Sequence, residues 1–319
     1  MSSGRYQYIR RRLQKTLEQS ALILMEHGQR GEFVPVALEA EFGAKGSTMP
    51  GYRITLEDGT SMYLQGKIDR IEHAKAGDTG YLRVIDFKSG KQGLDLTEVY
   101  YGLKIQLLTY LRVALQYYET LLPEGETLLP AGVLYYFFRS GILQADGPIN
   151  PSEAQAMHHK DVRANGLLLA DMHGLKLADR TLSTGSSNLL PLTLLSKAEQ
   201  YIDDPDSFDA LEDPMELFGK RNHTVVSKEQ LSMLLAHVEQ LIQMLGDSIH
   251  KGNISIQPCR LKQMNGCKYC NYQAICRIQT VDFFKNSEEL IPLTHETIWS
   301  RLESQTNRKG ANSNASMDN

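Results

Sequence analysis

Three side chains able to do chemistry together lie close in this 319-residue sequence. Asp86 and Lys88 stand in the run Arg83-Val84-Ile85-Asp86-Phe87-Lys88-Ser89-Gly90, at the end of a hydrophobic strand. Asp69 stands in Gly66-Lys67-Ile68-Asp69-Arg70-Ile71. Residues 74–80 between them are turn-forming, and a turn centred near residue 77 puts Asp69 close to opposite Asp86. Side chains at i and i+2 share a strand face, and so do opposed residues of an antiparallel pair. All three groups therefore converge. Two carboxylates about 4 Å apart repel by roughly 4 kcal/mol at an effective dielectric near 20. A divalent cation compensates, and hard oxygen ligands select Mg²⁺ or Mn²⁺. The expected chemistry is phosphodiester hydrolysis. Asp69 and Asp86 hold the metal, which activates a water and stabilises charge on the scissile phosphate. Lys88 orients the water or holds phosphate oxygens. An Asp-x-Lys pair alone is commonplace, and the alternative is an ordinary surface hairpin. The apolar strand around Asp86 and the matching Asp69 argue against that.

Gln106 and Tyr110 lie four apart, on one face of a following helix. That face also carries Leu103, Leu107, Leu111 and Ala114. Polar groups on an apolar stripe suit either a hydrogen-bonded core pair or the rim of the metal site. A second cluster is Cys259, Cys267, Cys270 and Cys276, which are all the cysteines of the chain. In a cytosolic protein such a cluster points to metal rather than disulfides. Thiolates suit iron–sulfur or zinc, and spacing does not separate the two.

The elements positioning these groups are legible in outline. Residues 5–27 read as a helix with Leu13, Leu17, Ala21 and Leu24 near one face, ended by Gly28 and Gly31. Residues 33–42 alternate as a strand that puts Glu39 and Glu41 on one face. Strands are expected at 52–57 and 61–73 around the Asp58-Gly59 turn, and at 81–88 and 131–139. A helix is expected over 96–119, with Asp95 and Glu98 as a capping box. Residues 228–250 form an amphipathic helix whose core side carries Leu231, Leu234, Leu235, Val238, Leu241, Ile242 and Leu245. Within 140–225, helical pieces near 151–162 and 192–203 alternate with polar loops and carry no functional assignment. Residues 305–319 are Ser/Asn-rich and expected to be disordered.

Composition is that of a soluble globular protein, 41% apolar and 23% charged. No apolar run is long enough to span a membrane, and the Arg-rich N-terminus is no secretory signal. A cytoplasmic location is the default. The net charge of −4 does not advertise nucleic-acid binding. Cations nevertheless cluster at Arg5, Arg10, Arg11, Arg12 and Lys15, and at Arg260, Lys262, Lys268 and Arg277. Either set suits phosphates or a solvated surface. The G-x-x-x-x-G-K-[ST], G-x-S-x-G and H-E-x-x-H patterns are absent.

The three runs around Asp69, Asp86 to Gly90, and Gln106 to Tyr110 resemble the motifs of RecB-type nucleases in the PD-(D/E)XK superfamily. The run Tyr101–Tyr110 and the spacing Cys267-x2-Cys270-x5-Cys276 are similar to the AddB subunits of AddAB helicase–nucleases. The resemblance implies an α/β fold, with a restriction-endonuclease-like mixed sheet flanked by helices and a C-terminal iron–sulfur staple. It divides the chain into a nuclease core with helical insertions at 1–255, a Cys-cluster segment at 256–290 and the tail at 305–319. It implies a Mg²⁺-dependent deoxyribonuclease acting on single-stranded ends of unwound duplex at double-strand breaks. The partner is an AddA-type subunit and the strand cut is 5′-terminated. Asp69 and Asp86 match metal ligands, Lys88 the catalytic lysine, Gln106 and Tyr110 a further motif, and Glu39 or Glu41 an acidic strand position. Cys267, Cys270 and Cys276 match three ligands of a 4Fe–4S cluster, for which zinc is the alternative. The family's distant first cysteine has no counterpart here, and Cys259 is the sole replacement. The family's metal-site histidine has no convincing match, since His27 lacks the surrounding sequence. The chain reads as an isolated or truncated C-terminal domain. A catalytically weak DNA-binding or scaffold domain is the competing function.

Overall fold

The computed structural model describes residues 4–90, 93–138, 147–150, 153, 154, 157, 163–219, 223–262, 264–278 and 287–315. The chain forms two compact units. The first comprises Met1–Arg53, Tyr63–Leu94 and Gln106–Leu235. The second comprises Ile54–Met62, Asp95–Ile105 and Ala236–Asn319. This division interleaves along the chain.

The first unit is α/β. Strands β1 (Val34–Phe42), β4 (Gly66–Ala76), β5 (Thr79–Lys88), β6 (Thr127–Phe137), β7 (Asn165–Leu169) and β10 (Val225–Val226) form a six-stranded mixed sheet in the order β1-β4-β5-β6-β7-β10. The β5–β6 and β7–β10 pairs are parallel and the rest antiparallel. Short strands β2 (Tyr52–Thr55) and β3 (Ser61–Leu64) pair separately, as do β8 (Gly185–Ser186) and β9 (Thr193–Leu194). The expected strand 61–73 is thus two, broken at Gln65.

Helix α3 (Gln106–Glu119) packs on β5 and β6, burying Leu107, Leu108, Leu111 and Ala114. A larger apolar cluster gathers Tyr81, Ile85, Leu134 and Tyr136 of the sheet with Met172 and Leu175 of α4 (Met172–Ala178), Leu190, Phe208 and Phe218. Strands β6 and β7 approach so closely that Gly166, at φ +155°, has no room for a Cβ. One built there would lie 1.9 Å from the Val133 carbonyl oxygen. Helix α5 (Glu199–Asp203) follows within 192–203, where a longer helical piece was expected. The expected helix near 151–162 lies largely outside the described residues. The pairing elements of 163–226 are not legible in the sequence because each is too short to show a period.

Helix α1 (Gly4–Arg30) passes Gly28 and stops at Gly31, whose N–H reaches the His27 carbonyl at 2.8 Å. Ser20 and His27 are buried, but Leu13 and Leu17 are 59% and 61% exposed. The apolar stripe is therefore only half used, because packing begins near Ser20.

The expected helix 96–119 is two helices. In the second unit, α2 (Leu96–Tyr100) ends where Gly102 adopts φ +77°, with the Leu103 N–H bonded back to the Glu98 carbonyl. A left-handed glycine closing bonds to the preceding turn is a common helix stop. Leu103 therefore lies off α3. Asp95 does cap α2 by accepting the Thr97 N–H, but Glu98 pairs with Lys104 at 2.5 Å instead of completing a box. Helix α6 (Lys228–His250) matches expectation. Leu231, Leu234, Val238 and Ile242 are buried, whereas Leu245 is exposed. In the second unit β11 (Cys259–Leu261) lies between β12 (Met264–Asn265) and β13 (Glu288–Leu290). Short α7 (Gln273–Cys276) precedes α8 (His295–Ala315), which packs on α2 through a turn burying Ile298 and Leu302. Residues 305–315 are thus helical rather than disordered. A helix nucleated by packing propagates cheaply. Residues 316–319 lie outside the described residues.

Candidate active site

The hairpin β4–β5 turns tightly at Gly77 and Asp78, and its ladder pairs Ala76 with Thr79 and Arg70 with Ile85. The same register places Asp69 opposite Asp86, as the spacing predicts. Asp69 does not continue the ladder. Its Oδ2 accepts the Phe87 N–H at 2.9 Å, tying the carboxylate to the backbone between Asp86 and Lys88. Asp86 is 3% exposed. Burial raises its pKa above the usual carboxylate range, Lys88 opposes this, and the charge of Asp69 adds to it. Lys88 Nζ lies 2.6 Å from Asp86 Oδ2. The contact is ionic, since Oδ2 has no well-aligned hydrogen bond. The ammonium also lies 5.7 Å from the Tyr135 ring centroid. Tyr135 pairs with Asp86 across the parallel β5–β6 ladder. No sequence signal marked this tyrosine, because its place depends on β6 lying beside β5.

Gln106 opens α3, and its Nε2 donates to the Tyr110 hydroxyl at 3.0 Å. The Tyr110 ring stands edge-on to Phe42, centroids 5.9 Å apart. Both rings crowd Gly66, where a Cβ would meet Phe42 at 2.9 Å and Tyr110 at 3.6 Å. Gln106 and Tyr110 thus bond to each other, and α3 sets the pair over the start of β4.

The alternation expected in β1 is interrupted. Its ladder to β4 shifts between Pro35 and Ala37, and Glu39 adopts φ +49°. Leu38 pairs with Arg70 and Ala40 with Ile68, so Glu39 falls opposite Asp69. Glu39 forms an ion pair with Lys67, while Glu41 faces Lys67 in the ladder. Positive φ at a non-glycine residue is costly and recurs at functional sites. It distinguishes the backbone of Glu39 from that of Glu41, and the sequence held no sign of it.

Among the described residues no three His, Cys, Asp or Glu side chains gather as a metal-holding group. Glu39 therefore does not join Asp69 and Asp86. The pair alone still suits Mg²⁺, which is commonly held by one or two carboxylates, with water and phosphate completing the shell. A buried carboxylate oxygen that lacks an aligned donor fits that role. His27 is no ligand. It is buried, bonded at Nδ1 to the Tyr136 hydroxyl at 3.0 Å, and burial with the nearby Arg83 lowers its pKa to about 3.

Among the described residues the four cysteines do not gather as a metal-holding group. Cys259 lies on β11, Cys267 is buried, Cys270 is exposed with its Sγ accepting the Tyr272 N–H at 3.4 Å, and Cys276 ends α7. These positions do not show the staple expected of them.

The sequence matches the PD-(D/E)XK nuclease superfamily over residues 1–277, and the chain belongs to that family. Its relatives include proteins named as the B subunit of an ATP-dependent helicase/deoxyribonuclease. That of Bacillus licheniformis is 36% identical over 277 residues, covering 87% of this chain and 22% of the relative. That of Geobacillus kaustophilus is 34% identical over 302 residues, covering 94% and 24%. That of Moorella thermoacetica is 35% identical over 275 residues, covering 86% and 22%. The chain thus spans less than a quarter of these relatives' length. No helix among the described residues is long and apolar enough to cross a membrane.

Proposed function

We infer that this chain is a Mg²⁺- or Mn²⁺-dependent deoxyribonuclease domain. It processes DNA ends at double-strand breaks within a helicase–nuclease that includes an AddA-type partner, and it cuts the 5′-terminated strand. The observation that carries the reading is the meeting of Asp69, Asp86 and Lys88 at the end of the β4–β5 hairpin. Superfamily membership and the names of the relatives support it.

Asp69 and Asp86 would hold the cation, which would supply Lewis acidity toward a phosphate oxygen and acidify a water. Phe87 fixes Asp69 through its N–H. Lys88, 2.6 Å from Asp86 Oδ2, would donate to a phosphate oxygen as charge develops. Gln106 and Tyr110 present an amide and a phenol for contact with the strand, and Glu39 with Lys67 lies at the opposite side of Asp69.

The test is incubation of 5′- and 3′-labelled single- and double-stranded DNA with the protein in Mg²⁺ and in EDTA. The reading expects cleavage in Mg²⁺ alone, with products that report the 5′-terminated strand. A second reading, a DNA-binding scaffold with a weak site, draws on the absence of any third carboxylate or histidine beside Asp69 and Asp86 among the described residues. DNA binding without cleavage at any Mg²⁺ or Mn²⁺ concentration would favour it.

A 4Fe–4S cluster, or zinc, on Cys259, Cys267, Cys270 and Cys276 is carried by thiolate chemistry and resemblance, against the arrangement described above. Metal analysis decides it. Stoichiometric iron and sulfide with absorbance near about 400 nm would mean that the thiols draw together on loading.

A further inference from the structure

Helix α1 carries a feature that the proposed chemistry leaves unused. Residues 4–17 contain Arg5, Arg10, Arg11, Arg12 and Lys15 and no acid, in a chain whose net charge is −4. All five cations are exposed. Elsewhere in the same unit several cations are paired: Arg30 with Asp179, Lys67 with Glu39, Arg70 and Arg83 with Glu72, Lys197 with Glu216. None of the five on α1 has an ion-pair partner among the described residues.

Their placement is ordered. At 3.6 residues per turn, Arg5, Tyr8, Arg12 and Lys15 share one face, with Arg11 beside it. The other stripe runs Tyr6, Ile9, Leu13 and Leu17 into Ser20, Leu24 and His27. Its lower end is anchored. Ser20, Ile23, Leu24 and His27 line a pocket with Phe87, Tyr136, Phe137 and Phe138, and Phe87 lies between Asp86 and Lys88. Helix α1 therefore rests on the catalytic end of β5 and β6 and then leaves the sheet. Counting back from Ser20 at 1.5 Å per residue, Lys15 lies about 8 Å out and Arg5 about 22 Å out. Tyr8, on the basic face, is 63% exposed, and an exposed ring among cations suits base stacking.

We propose that the basic face of α1, Arg5, Arg11, Arg12 and Lys15 with Tyr8, is an arm that binds the phosphate backbone of the single DNA strand entering or leaving the site at Asp69, Asp86 and Lys88. This rests on the nuclease reading for its substrate. The arm supplies affinity along the strand and no base selectivity, because point charges on phosphates carry no sequence information.

The test compares the full chain with its Arg5→Gln/Arg11→Gln/Arg12→Gln/Lys15→Gln variant. Glutamine keeps the helix propensity of the residues it replaces, and an unchanged far-UV circular dichroism spectrum and melting temperature check the fold. Binding of a fluorescein-labelled 30-nucleotide single strand is titrated in EDTA across a range of salt. Each single-strand phosphate contact contributes about 0.7 to the slope of log K against log salt, so losing four lowers it by about 3. Affinity at low salt should fall roughly 10- to 100-fold. Neutralising two exposed cations elsewhere, Lys45→Gln/Lys228→Gln, should leave the slope unchanged. Equal slopes for wild type and the α1 variant would overturn the arm. So would lost binding to phosphatidylglycerol vesicles with an unchanged DNA slope, which would make α1 a membrane-facing helix. The two readings fail separately. Mg²⁺-dependent cleavage with equal slopes removes the arm and keeps the nuclease, whereas a reduced slope without any cleavage removes the nuclease and keeps the arm.

Discussion

Asp86 sits at 3% exposure beside a second carboxylate, with a lysine as its nearest cation. Removing Lys88 leaves that buried charge without its counter-ion and the phosphate without its donor. Lys88→Ala should therefore lower cleavage by about 10³-fold or more. The opposite protonation problem is set by His27, which faces Arg83 of β5, Arg70 of β4, Arg30 of its own helix, Asp179 and the Tyr136 hydroxyl. Its folded pKa of about 3 lies below the ordinary 6.5. The folded state refuses a proton that the unfolded chain accepts below 6.5. Stability from this residue is full above that pH and is lost as pH falls through about 3, by up to roughly 5 kcal/mol. Chemical denaturation between pH 7 and pH 4 should show a smaller loss for His27→Asn, which keeps a polar group near Nδ1, than for wild type. The same loss in both would place the acid sensitivity elsewhere. Asp69, Asp86 and Lys88 were legible because one hairpin sets their geometry within a short stretch. The place of Tyr135 and the strained backbone at Glu39 were not, since one depends on the parallel neighbour of β5 and the other on a distortion in β1.

Elements show the same contrast between local and distant causes. The strands around Asp86, the Asp58-Gly59 turn and helix 228–250 follow from period and turn chemistry alone. The break in 96–119 hinges on Gly102, which an apolar period does not register because the residues on either side are helical. As a result Gln106 opens α3 rather than lying mid-helix, while its contact with Tyr110 follows from the i, i+4 spacing either way. Strand β7 depends on contact too close for any side chain at Gly166. A Gly166→Ala substitution should destabilise the first unit by on the order of 2–4 kcal/mol, measured as a lowered urea midpoint. An unchanged midpoint would mean that β6 and β7 part without cost.

At the scale of the whole chain, the mixed sheet and superfamily membership agree with the expectation from motifs, while the cysteine staple does not appear in the fold. Soft-metal sites couple ligand placement to loading, so a sequence pattern can be legible where its geometry is not. Cys270→Ser tests this independently of catalysis. If a cluster forms, the variant should lose bound iron and melt lower, and unchanged iron content and melting would remove Cys270 from any metal site. Helix α8 reversed another expectation, since Ile298 and Leu302 anchor a segment whose composition alone reads as disordered. The central claim remains the hairpin that joins Asp69, Asp86 and Lys88. The most direct measurement is the rate of Mg²⁺-dependent cleavage of end-labelled DNA by wild type, Asp86→Ala and Lys88→Ala, side by side and with matched melting curves. Cleavage by wild type that vanishes in both variants is the predicted result. Cleavage that persists undiminished in either variant would contradict the account and place the chemistry elsewhere.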